Sequence, residues 1–316
     1  MSQSGKTTSI HQRDERQDLL SFVWLFGIVL FHAQSGCPVW FRELLSDFRV
    51  GGVVFFFALS GYHLVRRYDP ANWLVWYKGI LSKRLRTLVV PYVIWCVVGL
   101  TSFNLLSQFG ITSHAPAANA PLWYVKYLML FCVGSIALIP IIRRIAATRW
   151  FYFAFGCSLA IIPWMPLPMK FSLFLSLLGF SFGIGLAFRN GVNVSMRFLC
   201  PLCIAWVLLF VLRLTDLSPC LDWPLKTYSA SILIAISWLL VTHLEPTLHL
   251  PGFFRMTFFV YCAHVLLLRW IREFGWPSGT LESLAAAVIA MSASLLIAAL
   301  INKFLPKAYS ILSGGR

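Results

Sequence analysis

Three groups of residues in this sequence could carry chemistry. The first is His32, the one ionisable side chain past the opening turn of the apolar run Leu19-Leu20-Ser21-Phe22-Val23-Trp24-Leu25-Phe26-Gly27-Ile28-Val29-Leu30-Phe31-His32-Ala33. The second is His264, which closes Tyr261-Cys262-Ala263-His264 in another apolar run. The third is the densest cluster of positive charge in the chain, formed by Arg66, Arg67, Lys78, Lys83, Arg84 and Arg86. Imidazole is the side chain best suited to take a proton from a hydroxyl near neutral pH. Clustered guanidinium and ammonium groups bind phosphate. Each group also has a plainer reading: a histidine bonded to a neighbouring helix for the first two, and ordinary topology charge for the third.

The remaining polar residues point to less. Lys126 either snorkels to a membrane surface or contacts an anionic acceptor. His63 stands beside Arg66 and Arg67, at a phosphate entrance or simply at an interface. His114, His243 and His249 with Glu245 have no metal-ligand spacing, and no metal is expected. Cys200 and Cys203 have C-x-x-C spacing without a second pair and read as apolar packing. Cys37 and Cys220 fall in segments assigned to the same side, where a disulfide is an open option.

The elements that must position these residues are set by composition. Of 316 residues, 59% are hydrophobic and 12% charged, and the mean hydropathy is +0.77; that lies outside the range of a water-soluble domain. Apolar runs of about 17–22 residues recur, each long enough as a helix to cross a bilayer. Stretches such as Gly52-Val53-Val54-Phe55-Phe56-Phe57-Ala58-Leu59 are apolar on every side, unlike the alternating strands of a membrane barrel. The fold class is therefore all-α, a polytopic membrane bundle with about ten transmembrane helices. They fall near 19–36, 50–65, 86–106, 122–142, 150–165, 171–188, 198–214, 227–243, 253–270 and 282–304.

A net charge of +15 would suit a nucleic-acid binder, but the 26 basic residues are spread over the segments between helices. With the N-terminus inside, 18 fall on inner segments and 7 on outer ones, with Lys126 left within a helix. That asymmetry is the positive-inside pattern, so the expected arrangement has both termini cytoplasmic and no nucleic acid as partner. The first apolar run lacks a small-x-small cleavage site and reads as a retained helix. Residues 1–18 make a cytoplasmic segment, 19–305 one transmembrane domain, and 306–316 a cytoplasmic tail.

Several features together resemble the membrane acyltransferase-3 family. They are the histidine late in the first helix, the run Gly52-Val53-Val54-Phe55-Phe56-Phe57-Ala58-Leu59-Ser60-Gly61-Tyr62, and the basic stretch closing on Arg84-Leu85-Arg86 before Pro91-Tyr92. Leu122-Trp123-Tyr124-Val125 and Tyr261-Cys262-Ala263-His264 agree with it. The resemblance covers roughly residues 10–305, and its first hundred residues are the specific part.

It implies transfer of an acyl group, usually acetyl, from cytoplasmic acyl-coenzyme A to a hydroxyl of a sugar, polysaccharide or glycolipid, in a bacterial inner membrane. His32 takes the family's catalytic position. Arg66, Arg67, Lys83, Arg84 and Arg86 would hold coenzyme A, and His264, Lys126 and Tyr261 would bind substrate or assist. One position departs: the family carries an arginine eleven residues before this histidine, where Ser21 stands here. Either another basic residue supplies that charge, with Arg86 the first candidate, or activity is altered or lost. The competing reading is a transporter or flippase, but the repeated halves such proteins often show are not visible.

Overall fold

The computed structural model of the chain describes residues 15–66, 68–108, 122–164, 171–189, 195–215, 219–243 and 250–315. The helices are α1 (Glu15–Ala33), α2 (Val39–Val65), α3 (Trp73–Gln108), α4 (Trp123–Ala146), α5 (Phe151–Ile161), α6 (Phe171–Phe188), α7 (Leu199–Arg213), α8 (Pro219–Thr242), α9 (Thr257–Glu273), α10 (Thr280–Phe304) and α11 (Pro306–Leu312). No strand occurs among the described residues. Every apolar segment expected from the sequence falls on one of α1 to α10. Among the described residues, seven helices are long and apolar enough to cross a membrane, and Phe151–Trp164 and Leu173–Phe188 are shorter apolar helices.

Three helices begin well before the sequence-based expectation. α2 starts at Val39 rather than 50, α3 at Trp73 rather than 86, and α8 at Pro219 rather than 227. In each case charged residues interrupt the apolar run, yet long side chains such as Lys, Arg, Glu and Leu are good helix formers. Tertiary pairing neutralises some of those charges. Lys78, Lys83, Arg84 and Arg86 therefore lie on the first turns of α3, and not in a loop as the apolar pattern implied. In the turn before α3, Asp69 accepts from the Ala71 amide at 2.9 Å and from Asn72 Nδ2 at 3.3 Å. Those bonds hold its carboxyl below the usual carboxylate range.

Side-chain contacts fix the helix directions. Phe22 packs on Phe254 and His32 on His264, so α1 and α9 run parallel. Trp95 packs on Phe259, and Trp270 Nε1 donates to Ser102 Oγ at 2.9 Å, so α3 runs with them. α2, α4 and α6 share the opposite direction: Ser60 meets Tyr124 while Tyr68 meets Arg143, and Val54 and Ala58 meet Gly179 and Gly183 in turn. α5 runs from Phe151, against Gly185, to Trp164, whose Nε1 donates to Tyr228 of α8. α1 to α6 thus alternate in direction.

The most extensive packing joins α2 to α6. A Cβ built on Gly183 would strike the Ala58 carbonyl, and one on Gly61 the Phe180 carbonyl. Gly179 and Gly183 are four residues apart, so α6 presents a small-residue stripe that lets the two backbones touch. Against the far side of α2 lies a buried charge cluster. Arg213 of α7 pairs with Asp47 and Glu43 of α2, and its side chain is fully enclosed. Asp47 also accepts from Ser229 Oγ at 2.5 Å and from Trp206 Nε1 at 3.1 Å. Lys226 lies 2.8 Å from Asp222 and 3.5 Å from Glu43.

The expected tail folds back as α11. The Leu312 carbonyl accepts from Trp95 Nε1 at 3.2 Å, and Tyr309 stacks near Phe259. Cys37 is a free thiol 3.3 Å from Ser283 Oγ, and the side chain of Cys220 lies outside the described ones.

Candidate active site

The last turn of α1 carries Phe31 and His32 out of an otherwise apolar helix. Burial of an imidazole in this setting costs free energy unless polar neighbours receive it. The neighbour is His264 of α9, with ring centroids 5.5 Å apart. His32 is half-buried, whereas His264 is wholly enclosed. His264 Nδ1 lies 3.1 Å from the Val260 carbonyl one turn back. A carbonyl can only accept, so Nδ1 carries the proton and Nε2 presents its lone pair. Nε2 is buried and has no hydrogen-bond partner among the described residues. It is therefore free to accept from the His32 ring or from a substrate hydroxyl.

A row of polar side chains continues from this pair into the core. The Tyr261 ring lies 5.9 Å from His264 and 5.4 Å from Tyr124 of α4. The Tyr124 hydroxyl donates to the Phe56 carbonyl at 3.2 Å and lies 3.1 Å from Ser60 Oγ of α2. Tyr261, His264 and Arg272 occur at spacings of three and eight, which places them along one face of α9. Arg272 donates to the main-chain carbonyl of His32, satisfying an acceptor that the end of α1 leaves open. On the other side of that turn, the Arg49 guanidinium lies 4.6 Å from the Phe31 ring centroid. Two positive charges therefore flank the turn that carries His32.

Of the residues singled out in the sequence, His32, His264 and Tyr261 come together. The basic residues stand elsewhere. Arg86 precedes Trp95 by nine residues and His264 follows Phe259 by five, so Arg86 lies roughly 21 Å from the histidine pair along the shared helix direction. Lys83 and Arg84 are further along, within one turn of Arg86. Arg66 caps α2 and is exposed, as are Lys83 and Arg86, while Arg84 is half-buried. Arg67 lies outside the described residues, as do Lys170, His114, Glu245 and His249. Lys126 is exposed beside the buried Tyr124 and Val125 and takes no part in the histidine cluster. Among the described residues, no group of His, Cys, Asp or Glu could hold a metal ion.

Ser21 is buried, and its hydroxyl donates to the Gln17 carbonyl at 2.7 Å within its own helix. It lies about 16 Å below His32 along α1, so Arg86 stands within about one turn of its depth. Arg49, Arg272, Tyr124 and Ser60 were not recognised as site residues from sequence. The two arginines counted there only as charges near helix ends, and nothing local joined them to His32.

The arrangement suits proton abstraction from a hydroxyl: a half-exposed imidazole, a second imidazole to accept from it, and a polar lining that leads inward. No curated protein and no solved structure matches the chain. A family described as an acyltransferase domain matches residues 18–303, nearly the whole length. This integral membrane protein therefore belongs to the acyltransferase-3 family and is an acyltransferase.

Proposed function

We propose that the chain is an O-acyltransferase that moves a short acyl group, acetyl in the first instance, from acyl-coenzyme A to a hydroxyl of a sugar, polysaccharide or glycolipid of the cell envelope. The observation that carries this reading is the His32–His264 pair, set among Tyr261 and Tyr124 in the core of a family acyltransferase. His32 takes the acceptor hydroxyl proton as the oxygen attacks the thioester carbon. The tetrahedral intermediate collapses, the carbon–sulfur bond breaks, and the coenzyme A thiolate takes the proton from the imidazolium. His264 Nε2 accepts from the His32 ring and holds it in the working orientation.

Coenzyme A carries its phosphates at one end of a long pantetheine arm and its thiol at the other. The exposed Arg66, Lys83 and Arg86, with Arg84 and Arg67, suit the phosphates, and the distance from them to His32 suits the arm. Arg86 also stands at the depth where Ser21 leaves the family arginine missing. In this reading the bilayer is crossed ten times, the basic end faces the cytoplasm, and the acceptor reaches His32 from the opposite side of a bacterial inner membrane.

His32→Ala is expected to lower acyl transfer by about 10²- to 10⁴-fold, the usual worth of a positioned base, with insertion unchanged. The measurement is acetyl ester on surface polysaccharides and glycolipids, compared between cells carrying the wild type, the variant and neither. An ester present at wild-type level in the variant overturns the assignment. Export or flipping of a glycolipid by a protein that never binds acetyl-coenzyme A would instead establish the transporter.

A further inference from the structure

Arg49, half-buried in α2, and Arg272, exposed at the end of α9, form no ion pair among the described residues, whereas three other cations do. Arg213 holds both Asp47 and Glu43, Lys226 lies against Asp222 and Glu43, and Arg255 meets Glu15. Arg49 instead rests on the face of Phe31, and Arg272 bonds the main chain of His32. A guanidinium presents five donors in a planar fork, and each of these contacts leaves donors over. Guanidinium donors left over beside a reactive histidine suit an anionic ligand; the Glu43 carboxylate acts on Arg49 electrostatically but forms no ion pair with it, and is shared with Arg213 and Lys226. A second observation points to a ligand at the same turn: His264 Nε2, fully buried and 5.5 Å ring to ring from His32, has no hydrogen-bond partner among the described residues and can accept from the His32 ring or from a bound hydroxyl.

We infer that Arg49 and Arg272 form an anion-binding site beside His32, and that the acceptor carries a phosphate or carboxylate close to the hydroxyl that is acylated. The inference rests on the proposed function only in calling the bound molecule the acceptor. The coenzyme A phosphates are not the intended ligand, because the basic residues of α3 lie at the other end of the site, roughly 21 Å away. A fork on each side of the reactive turn would hold the anionic group from two directions, leaving the neighbouring hydroxyl to His32. Acceptors with no charge would lack that anchor. The site thus selects by charge, whereas His32 and His264 act on the hydroxyl itself.

The test is binding to the purified full-length protein in detergent, read without turnover. The probes are glucose 1-phosphate, glucuronate and methyl glucoside. Glucose 1-phosphate or glucuronate is expected to bind, and methyl glucoside to bind far more weakly. The phosphate and carboxylate arms distinguish a phosphate-linked acceptor from an acidic sugar. Arg49→Gln and Arg272→Gln should each weaken the anionic probe about 10- to 100-fold, as expected for loss of hydrogen bonds to a charged group. Arg49→Lys and Arg272→Lys should retain part of it. If Arg272→Gln fails to fold because the His32 carbonyl loses its donor, Arg49→Gln decides alone.

His32→Ala should keep the binding, so absence of acyl transfer and absence of anion binding remain separate outcomes. Equal binding of all three sugars, binding unchanged in Arg49→Gln, or displacement of the sugar phosphate by coenzyme A in simple competition would each overturn the inference.

Discussion

His264 separates two roles that one imidazole can play. Its Nδ1 proton is committed to the Val260 carbonyl, which leaves Nε2 as the functional atom. His264→Asn keeps an amide donor near the position of Nδ1 and removes the Nε2 lone pair. If that lone pair orients His32, kcat should fall about 10- to 150-fold, the equivalent of one hydrogen bond to a group that becomes charged during the reaction. KM for acetyl-coenzyme A should hold, because the coenzyme is bound elsewhere. A purely structural His264 would give the reverse pattern, with lower yield of folded protein and normal kcat in what remains. At this scale the sequence was legible where a titratable side chain stood alone in an apolar run, as at His32 and His264. It was opaque for Arg49 and Arg272, whose meaning depends on a helix packed alongside and not on their own neighbours in the chain.

Among the elements, α2 carries the greatest share of the positioning. One of its faces meets α6 through backbone contacts at Gly61 and Gly183, and another meets α1 through Arg49. A third face bears Asp47, enclosed and bonded to Arg213, Ser229 and Trp206. Asp47 and Arg49 are two residues apart and so face nearly opposite ways on a helix. Clamping Asp47 thus fixes the rotation that sets Arg49 against Phe31. Asp47→Ala leaves the enclosed Arg213 short of a counter-ion, and should destabilise the protein by about 3 kcal/mol, the lower end for breaking a buried pair since Glu43 remains. Thermal unfolding of the detergent-solubilised protein would show it. An unaltered unfolding temperature would mean that water reaches Arg213 and that the clamp adds little. The same charges explain why the start of α2 was not legible. An apolar run was ended at Asp47 and Arg49, and it is α7 and α8 that supply the partners of Asp47, and α1 the ring beneath Arg49, that let the helix continue through them.

Over the whole molecule, the sequence pattern and the packing of α1 to α6 both make successive helices alternate in direction, by independent routes. The excess of Lys and Arg on alternate segments would assign a side to each connection if all ten helices cross. Packing between side chains, with no reference to charge, gives α1, α3 and α9 one direction and α2, α4 and α6 the other. Charge alone could not tell whether α1, α5 and α6 complete passes, since among the described residues the seven helices that meet the length and apolarity of a span do not include these three. If they do, the start of α1 and the end of α10 lie on the same side, with the turn after His32 on the other. Ser35→Cys, in that turn and exposed, should then react in intact cells with a membrane-impermeant maleimide, above the background of the native thiols. Lys307→Cys in α11 is equally exposed and should react only after the membrane is opened. Labelling of both from the same side would require an even number of passes between them in place of the nine that α2 to α10 would make, so that one of these helices, the short α5 or α6 first, would not cross the bilayer.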